Sequence, residues 1–270
     1  MKKAIVTCAL TEGFYSRPGL GPVPRTPEEI ADEAEAAVHA GAAVVRLHAL
    51  DDKGRPTLDV NFLRQMIRHV QERVNPVIEV STVVTRDAST TERVAVLSVK
   101  PEIASIVCGS INLGGDVLIQ PGDTIRSLAK AVKEQQIVTN LVCFDLSQIH
   151  TARRLLEADL VGPWFWFTLV LGAEGGVQGD LRTLLHLVDA LPRGAQWSAS
   201  GIGMASRLVV PGALLMGGHA RVGFEDNHLL RSQLAAGRNA ELVEAAVTVA
   251  RAIGRDVASS DQARALLTLT

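Results

Sequence analysis

Two stretches of the chain place ionisable side chains at alternating positions inside apolar runs. Arg46 and His48 lie in the first. Arg221, Gly223 and Glu225 lie in the second, with Asp226 and Asn227 directly after. In an extended strand, residues two apart point to the same side. The spacing presents Arg46 with His48, and Arg221 with Glu225, as same-side groups. Glu79 and Ser81 form a similar pair. Two guanidinium groups facing one space suit an anionic substrate. A histidine beside a carboxylate suits a divalent metal or a proton-transfer pair. A structural reading stands beside each: a strand Arg can pair with a neighbouring carboxylate, and His48 can be a satisfied core histidine.

These groups converge only if their strands do. The chain alternates short apolar runs with helical patterns. The runs are Lys3–Ala9, Ala42–His48, Pro76–Thr82, Ala104–Cys108, Ile137–Phe144, Trp164–Leu171, Gln196–Ser200 and Ala220–Phe224. Near-continuous hydrophobicity suits strands buried on both faces, as in a parallel sheet. Thr26-Pro27-Glu28-Glu29 opens a helix with a capping box and Pro at the first turn, and Gly41 supplies its left-handed stop. Further helices are expected over Val60–Arg73, Thr90–Ser98, Asp123–Gln135, Ser147–Glu157, Asp180–Leu191, Ser206–Met216 and Ala240–Ile253, with a short extra one over Asp261–Leu267. Eight strands alternating with eight helices predict a TIM (β/α)8 barrel, a single domain over 1–270 with an added C-terminal helix. An open doubly wound sheet is the alternative, but no GxGxxG follows the first run.

In such a barrel the chemistry sits at the carboxyl ends of the strands. The candidates there are Thr11 and Glu12, Arg46 and His48, Ser81 and Thr82, Ser110 and Asn112, Asp145, Ser200, and the cluster Arg221, Glu225, Asp226 and Asn227. The other histidines fall on or near helices or, for His219, at a strand's beginning.

Composition narrows the class. With 27 Lys+Arg against 29 Asp+Glu and no basic tract, nucleic acid is not an expected partner. No run reaches the 18 or more apolar residues of a membrane span, so the chain reads as cytoplasmic. Cys8, Cys108 and Cys143 are odd in number, far apart and in apolar runs, which argues against disulfides and a cysteine zinc site.

Several segments resemble the β-keto acid cleavage enzymes, the family of the 3-keto-5-aminohexanoate cleavage enzyme. They include Ile5–Ala9, Thr26–Ala31, Ala40–Val45, Gly54–Thr57, Val170–Gly172 with Gly175-Gly176, and above all Gly217–Asn227. The resemblance implies a barrel, usually tetrameric, with a catalytic divalent metal, commonly zinc. It implies condensation of a β-keto acid with acetyl-CoA and a retro-Claisen split into acetoacetate and a new acyl-CoA. The metal would be held by a His-x-His, here Arg46 and His48, and by Glu225. Arg221 and Asp226 would generate the enolate with an acid after strand one, for which Glu12 is the candidate because Phe14 holds the usual position. Arg46, Ser81, Thr82, Ser110 and Asn112 would bind the acid. Met204 stands where the family often has Arg.

Arg46 is the main departure, because a guanidinium does not ligate a metal. Two outcomes stay open: Arg46 takes over from the metal, or His48, Glu225 and waters still hold one. Two other activities compete with cleavage: a CoA-independent barrel lyase or aldolase, and a lapsed homologue that only binds an anionic metabolite.

Overall fold

A computed structural model describes residues 2–11, 23–51, 53, 55–85, 87–113, 115–231 and 234–268. Eight parallel strands close into a barrel: β1 Val6–Ala9, β2 Val44–Leu47, β3 Val77–Ser81, β4 Ile103–Val107, β5 Val138–Cys143, β6 Phe165–Leu171, β7 Gln196–Gly201 and β8 His219–Val222. Each strand neighbours the next in sequence, and β8 returns to β1 with Val6 opposite Ala220 and Thr7 opposite Arg221. The expected TIM barrel is the observed fold.

Helices fill the crossovers: α1 Pro27–Ala40, α2 Val60–Gln71, α3 Thr90–Ala95, α4 Gly122–Glu134, α5 Leu146–Glu157, α6 Leu181–Asp189, α7 Ser206–Leu215 and α8 Asn239–Ala252. The start of α1 is the expected capping box, with Thr26 accepting from the Glu29 amide and Glu29 reaching back, and Gly41 ends it at φ 115°. Among the described residues, no helix is long and apolar enough to cross a membrane.

Several boundaries differ from expectation, two of them at the strands that close the barrel. The run Lys3–Ala9 pairs as barrel strand only from Val6. The last strand stops at Val222 instead of Phe224, because Gly223 turns the chain at φ +130°. A Cβ there would stand 2.3 Å from the Ala9 carbonyl oxygen, so only glycine fits. Periodicity also missed two short hairpins, Ile111–Leu113 with Asp116–Leu118 and Leu229–Arg231 with Leu234–Ala235. Both lie beyond strand ends, outside the alternation that marks the barrel.

The period of two sorts the barrel interior into layers. Ile5, Val44, Val77, Ile103, Val138 and Trp166 form an apolar floor. Its underside is covered by α9, Ser260–Leu267, whose Ala263 and Leu267 join the same cluster. Arg264 ties this helix down, Nε donating to Glu102 Oε1 at 2.6 Å and Nη2 to the Pro76 carbonyl at 2.9 Å. Two residues further along each of these strands the layer turns polar: Thr7, Arg46, Glu79, Ser105, Asn140 and Thr168, all buried. Above that, on one side only, Val83, Val107, Val142, Phe144 and Val170 make a second apolar group with Leu113 and Leu118 of the hairpin. This stacking sets where charge is available and where it is absent.

Candidate active site

The turn after β8 brings the acidic groups inward. Gly223 O accepts from the Asp226 and Asn227 amides at 3.0 and 2.9 Å, and the Glu225 amide bonds Ala9 O at 3.2 Å. Buried Asn239 fixes the turn from behind, its Oδ1 accepting from the Phe224 amide and its Nδ2 donating to Leu10 O. Glu225 and Asp226 are therefore held by backbone, as a rigid site requires.

Arg221 grips Asp226 in a fork, Nε to Oδ2 and Nη2 to Oδ1, both at 2.8 Å. Ser200, at the end of β7, donates to Asp226 Oδ2 at 2.6 Å. Nη2 of Arg221 also reaches Glu225 Oε1 at 2.9 Å. The other oxygen of Glu225 accepts from Arg46 Nε at 2.9 Å, and His48 Nε2 stands 3.0 Å from Oε1. Arg46 Nη1 donates to Glu79 Oε1 at 2.7 Å and also to Ser105 Oγ. Glu79 Oε1 accepts as well from Asn140 Nδ2 at 2.9 Å, and Asn140 Oδ1 accepts from Thr168. Buried charges survive only when paired and hydrogen-bonded, and these are paired on several sides.

The carboxylates diverge in their protonation. Burial works to raise Glu225, but the charges of Arg221, Arg46 and His48 outweigh it and hold the carboxyl well below the usual range. Burial pushes Asp226 up; Arg221 opposes this and the charge on Glu225 adds to it. Two adjacent carboxylates pushed apart suit one fixed counter-ion and one proton acceptor.

A cavity of about 620 Å³ opens over this floor. Arg46, Arg221, Glu225 and Asp226 line one side, while Val83, Val107, Val142, Phe144 and Val170 line the other. Leu113 and Leu118 reach it from the hairpin.

The structure brings together Arg46, His48, Arg221 and Glu225 as the spacing suggested, with Asp226 beside them. Two further candidates touch this group, Ser200 through Asp226 and Thr11 by accepting from the His48 amide at 3.3 Å, while others make separate contacts. Ser81 Oγ accepts from the Val83 amide, and Thr82 Oγ1 donates to Ser105 O. Ser110 Oγ accepts from the Gln120 amide at the base of the hairpin. Asn112 is exposed on the hairpin, against Gly175 of the turn after β6. Asp145 caps α5 by accepting from the Gln148 amide. Glu12 and Phe14 lie outside the described residues. Sequence reasoning passed over Ser105, Asn140 and Thr168. Their signal was present as polar residues two apart from floor residues in apolar runs.

The expected metal site fares differently. His48 and Glu225 are two donors, and a catalytic zinc usually takes three from the protein. Among the described residues no three His, Cys, Asp or Glu side chains form a group able to hold an ion. The third position belongs to Arg46, and its guanidinium already bonds Glu225. The donor set does not suit a catalytic zinc.

Known proteins agree with this architecture. Residues 3–269 match the family model of the beta-keto acid cleavage enzyme. A 3-keto-5-aminohexanoate cleavage enzyme of Fusobacterium nucleatum is 34% identical over 271 residues, covering 100% of this chain and 99% of the relative. A 3-oxoadipate:acetyl-CoA acetyltransferase of Cupriavidus necator is 31% identical, covering 98% of this chain and 94% of that one. The solved complex of ObcA with oxaloacetate shares the fold, with a TM-score of 0.77 at 20% identity over 91% of this chain and 67% of that one. A barrel with an Arg–carboxylate cluster at its mouth, and near full-length likeness to these relatives, place the chain in the beta-keto acid cleavage enzyme family.

Proposed function

We propose that the protein converts a β-keto acid and acetyl-CoA into acetoacetate and the CoA thioester of the remaining acyl group. The observation that carries this is the Arg221–Asp226 pair, held by Ser200 from behind, beside Arg46 on one side of the cavity. Proton removal beside a carbonyl needs a base within reach and a positive environment for the oxyanion. Asp226 takes the proton from C2 of the acid. Arg221 and Ser200 hold it in place, and the charges of Arg221 and Arg46 favour the enolate and the acid's carboxylate.

The steps balance without an added thiol. C2 of the enolate bonds the acetyl carbonyl carbon, and the thiolate passes from that carbon to the C3 carbonyl. The C2–C3 bond then breaks, its electron pair going to C2, which takes back the proton held by Asp226. Acetoacetate and the new acyl-CoA leave. Ser81 and Thr82 shape the end of β3 beside Arg46, and Ser110 and Asn112 anchor the hairpin that presents Leu113 and Leu118. The acyl end of the acid lies against the apolar wall of Val107, Val142, Phe144 and Val170. A cytoplasmic location would match the supply of acetyl-CoA.

A homo-oligomer, the tetramer implied by the family resemblance, belongs to the same reading. Leu181 and Leu185 of α6 and Leu208 and Leu215 of α7 are exposed apolar side chains on neighbouring helices. A second copy covering them would remove that surface from water.

The test is acetoacetate formation from a panel of β-keto acids, with acetyl-CoA present or omitted. Turnover only with acetyl-CoA is expected. Cleavage without it would indicate a lyase, and no product at high enzyme concentration would indicate a lapsed, ligand-binding protein.

A further inference from the structure

We infer that the Arg46 guanidinium stands in the place of the divalent cation, so that the centre works with a fixed organic charge and no bound metal. This deepens the reading above and rests on it. Three observations carry it.

The first is position. Arg46 points from β2 to the barrel axis, between two buried carboxylates, with Glu225 Oε2 at 2.9 Å and Glu79 Oε1 at 2.7 Å. Ser105 also accepts from it. The charge is built in, with partners on three elements.

The second is the state of the remaining donors. Among the described residues Glu225 is the carboxylate paired with His48, and both of its oxygens already meet guanidinium nitrogens, Arg46 at Oε2 and Arg221 at Oε1. A divalent ion bound to Oε1 and His48 Nε2 would lie about 2.0–2.2 Å from each. That places it against two fixed cations, and among the described residues no third His, Cys, Asp or Glu completes a ligand group. The 3.0 Å separation of His48 Nε2 and Glu225 Oε1 suits two metal ligands as well as a shared proton; the neighbouring cations decide against the ion.

The third is chemistry. A guanidinium cannot ligate a metal, but it is always charged and directs planar N–H donors at carboxylates. It can therefore do the part of a cation that this reaction needs, holding an anionic acid and its enolate. The polarisation comes from one positive charge instead of two.

The experiment is metal content, read apart from turnover. Protein is purified without a metal-affinity step, dialysed against chelator, then equilibrated with Zn²⁺ and analysed for zinc. We expect well below about 0.1 zinc per chain, since two donors are fewer than a catalytic site needs. Arg46→His is expected to bind about one zinc per chain at least tenfold more tightly, because the introduced imidazole completes a three-donor set with His48 and Glu225, and to lose it when combined with Glu225→Ala. One zinc per chain in the unaltered protein, lost in Glu225→Ala, would overturn the inference. So would a folded Arg46→His that gains no zinc. If Arg46→His does not fold, the zinc content of the unaltered protein and of Glu225→Ala still decides. Absence of zinc together with absence of acetoacetate formation would reject the cleavage reading and leave the metal inference standing.

Discussion

Arg221 and Asp226 meet through two parallel hydrogen bonds of 2.8 Å, five residues apart across the turn that ends the barrel. A bidentate ion pair of this kind fixes the plane of the carboxylate as well as its place. With Ser200 on Oδ2, the group is oriented before substrate arrives. Asp226→Asn keeps the shape and removes the proposed base. We expect kcat to fall by about 10²- to 10⁴-fold, the range for a lost general base, with KM changed far less. Steady-state kinetics with saturating acetyl-CoA checks it. A kcat within a fewfold of the unaltered enzyme would remove Asp226 from the proton-transfer step.

The apolar wall gives a prediction about the acid. Val107, Val142, Phe144 and Val170 present no donor or acceptor to a polar acyl end. Each buried methylene contributes about 0.8 kcal/mol. Unbranched 3-oxo acids should therefore gain up to about fourfold in kcat/KM per added CH₂ until the cavity is filled. 3-Oxoadipate, with a second carboxylate, should be poorer than 3-oxohexanoate, and Val142→Asp should lower the value for the latter. A preference for the diacid would show that the acyl end lies elsewhere.

His219 predicts how stability varies with pH. Burial, then the charges of Arg255 and Lys2, depress its imidazole from 6.5 to about 3. Its Nδ1 accepts from the Ile5 amide at 3.0 Å, a bond that requires a lone pair there. Between those pH values the unfolded chain binds the proton and the native chain does not. The contribution is thus complete above about pH 6.5 and declines as pH falls toward about 3, by roughly 1.4 kcal/mol per unit within the window. His219→Asn keeps an acceptor for Ile5 without the titration. Urea midpoints at pH 7.5, 6 and 5 should fall less steeply for the variant. Equal slopes would exclude His219 as the source.

The barrel was legible because eight near-continuous apolar runs alternate with helical patterns, and side chains within the runs alternate in direction with period two. The same alternation exposed Arg46, His48, Arg221 and Glu225, whose types are costly to bury without a reason. Ser105, Asn140 and Thr168 escaped because small polar residues inside a strand look like tolerated core until Glu79 and Arg46 are seen against them. The apolar wall was hidden for the opposite reason. Val142 and Val170 resemble any buried valine, and only the layering separates them from the core below. The hairpins were missed because strands of two or three residues carry too few alternations to register.

The pairing of β1 with β8 also has a consequence in time. Ile5 and His219 bond across 214 residues. Synthesis at about 5–20 residues per second separates their emergence from the ribosome by roughly ten to forty seconds. Through that interval β1 has β2 on one side and an open edge on the other. The nascent chain must tolerate an unsealed ring, exposed to stray strand pairing, until the segment that bears Arg221 and Glu225 arrives. The last strand therefore completes the wall and delivers the charged cluster in the same event.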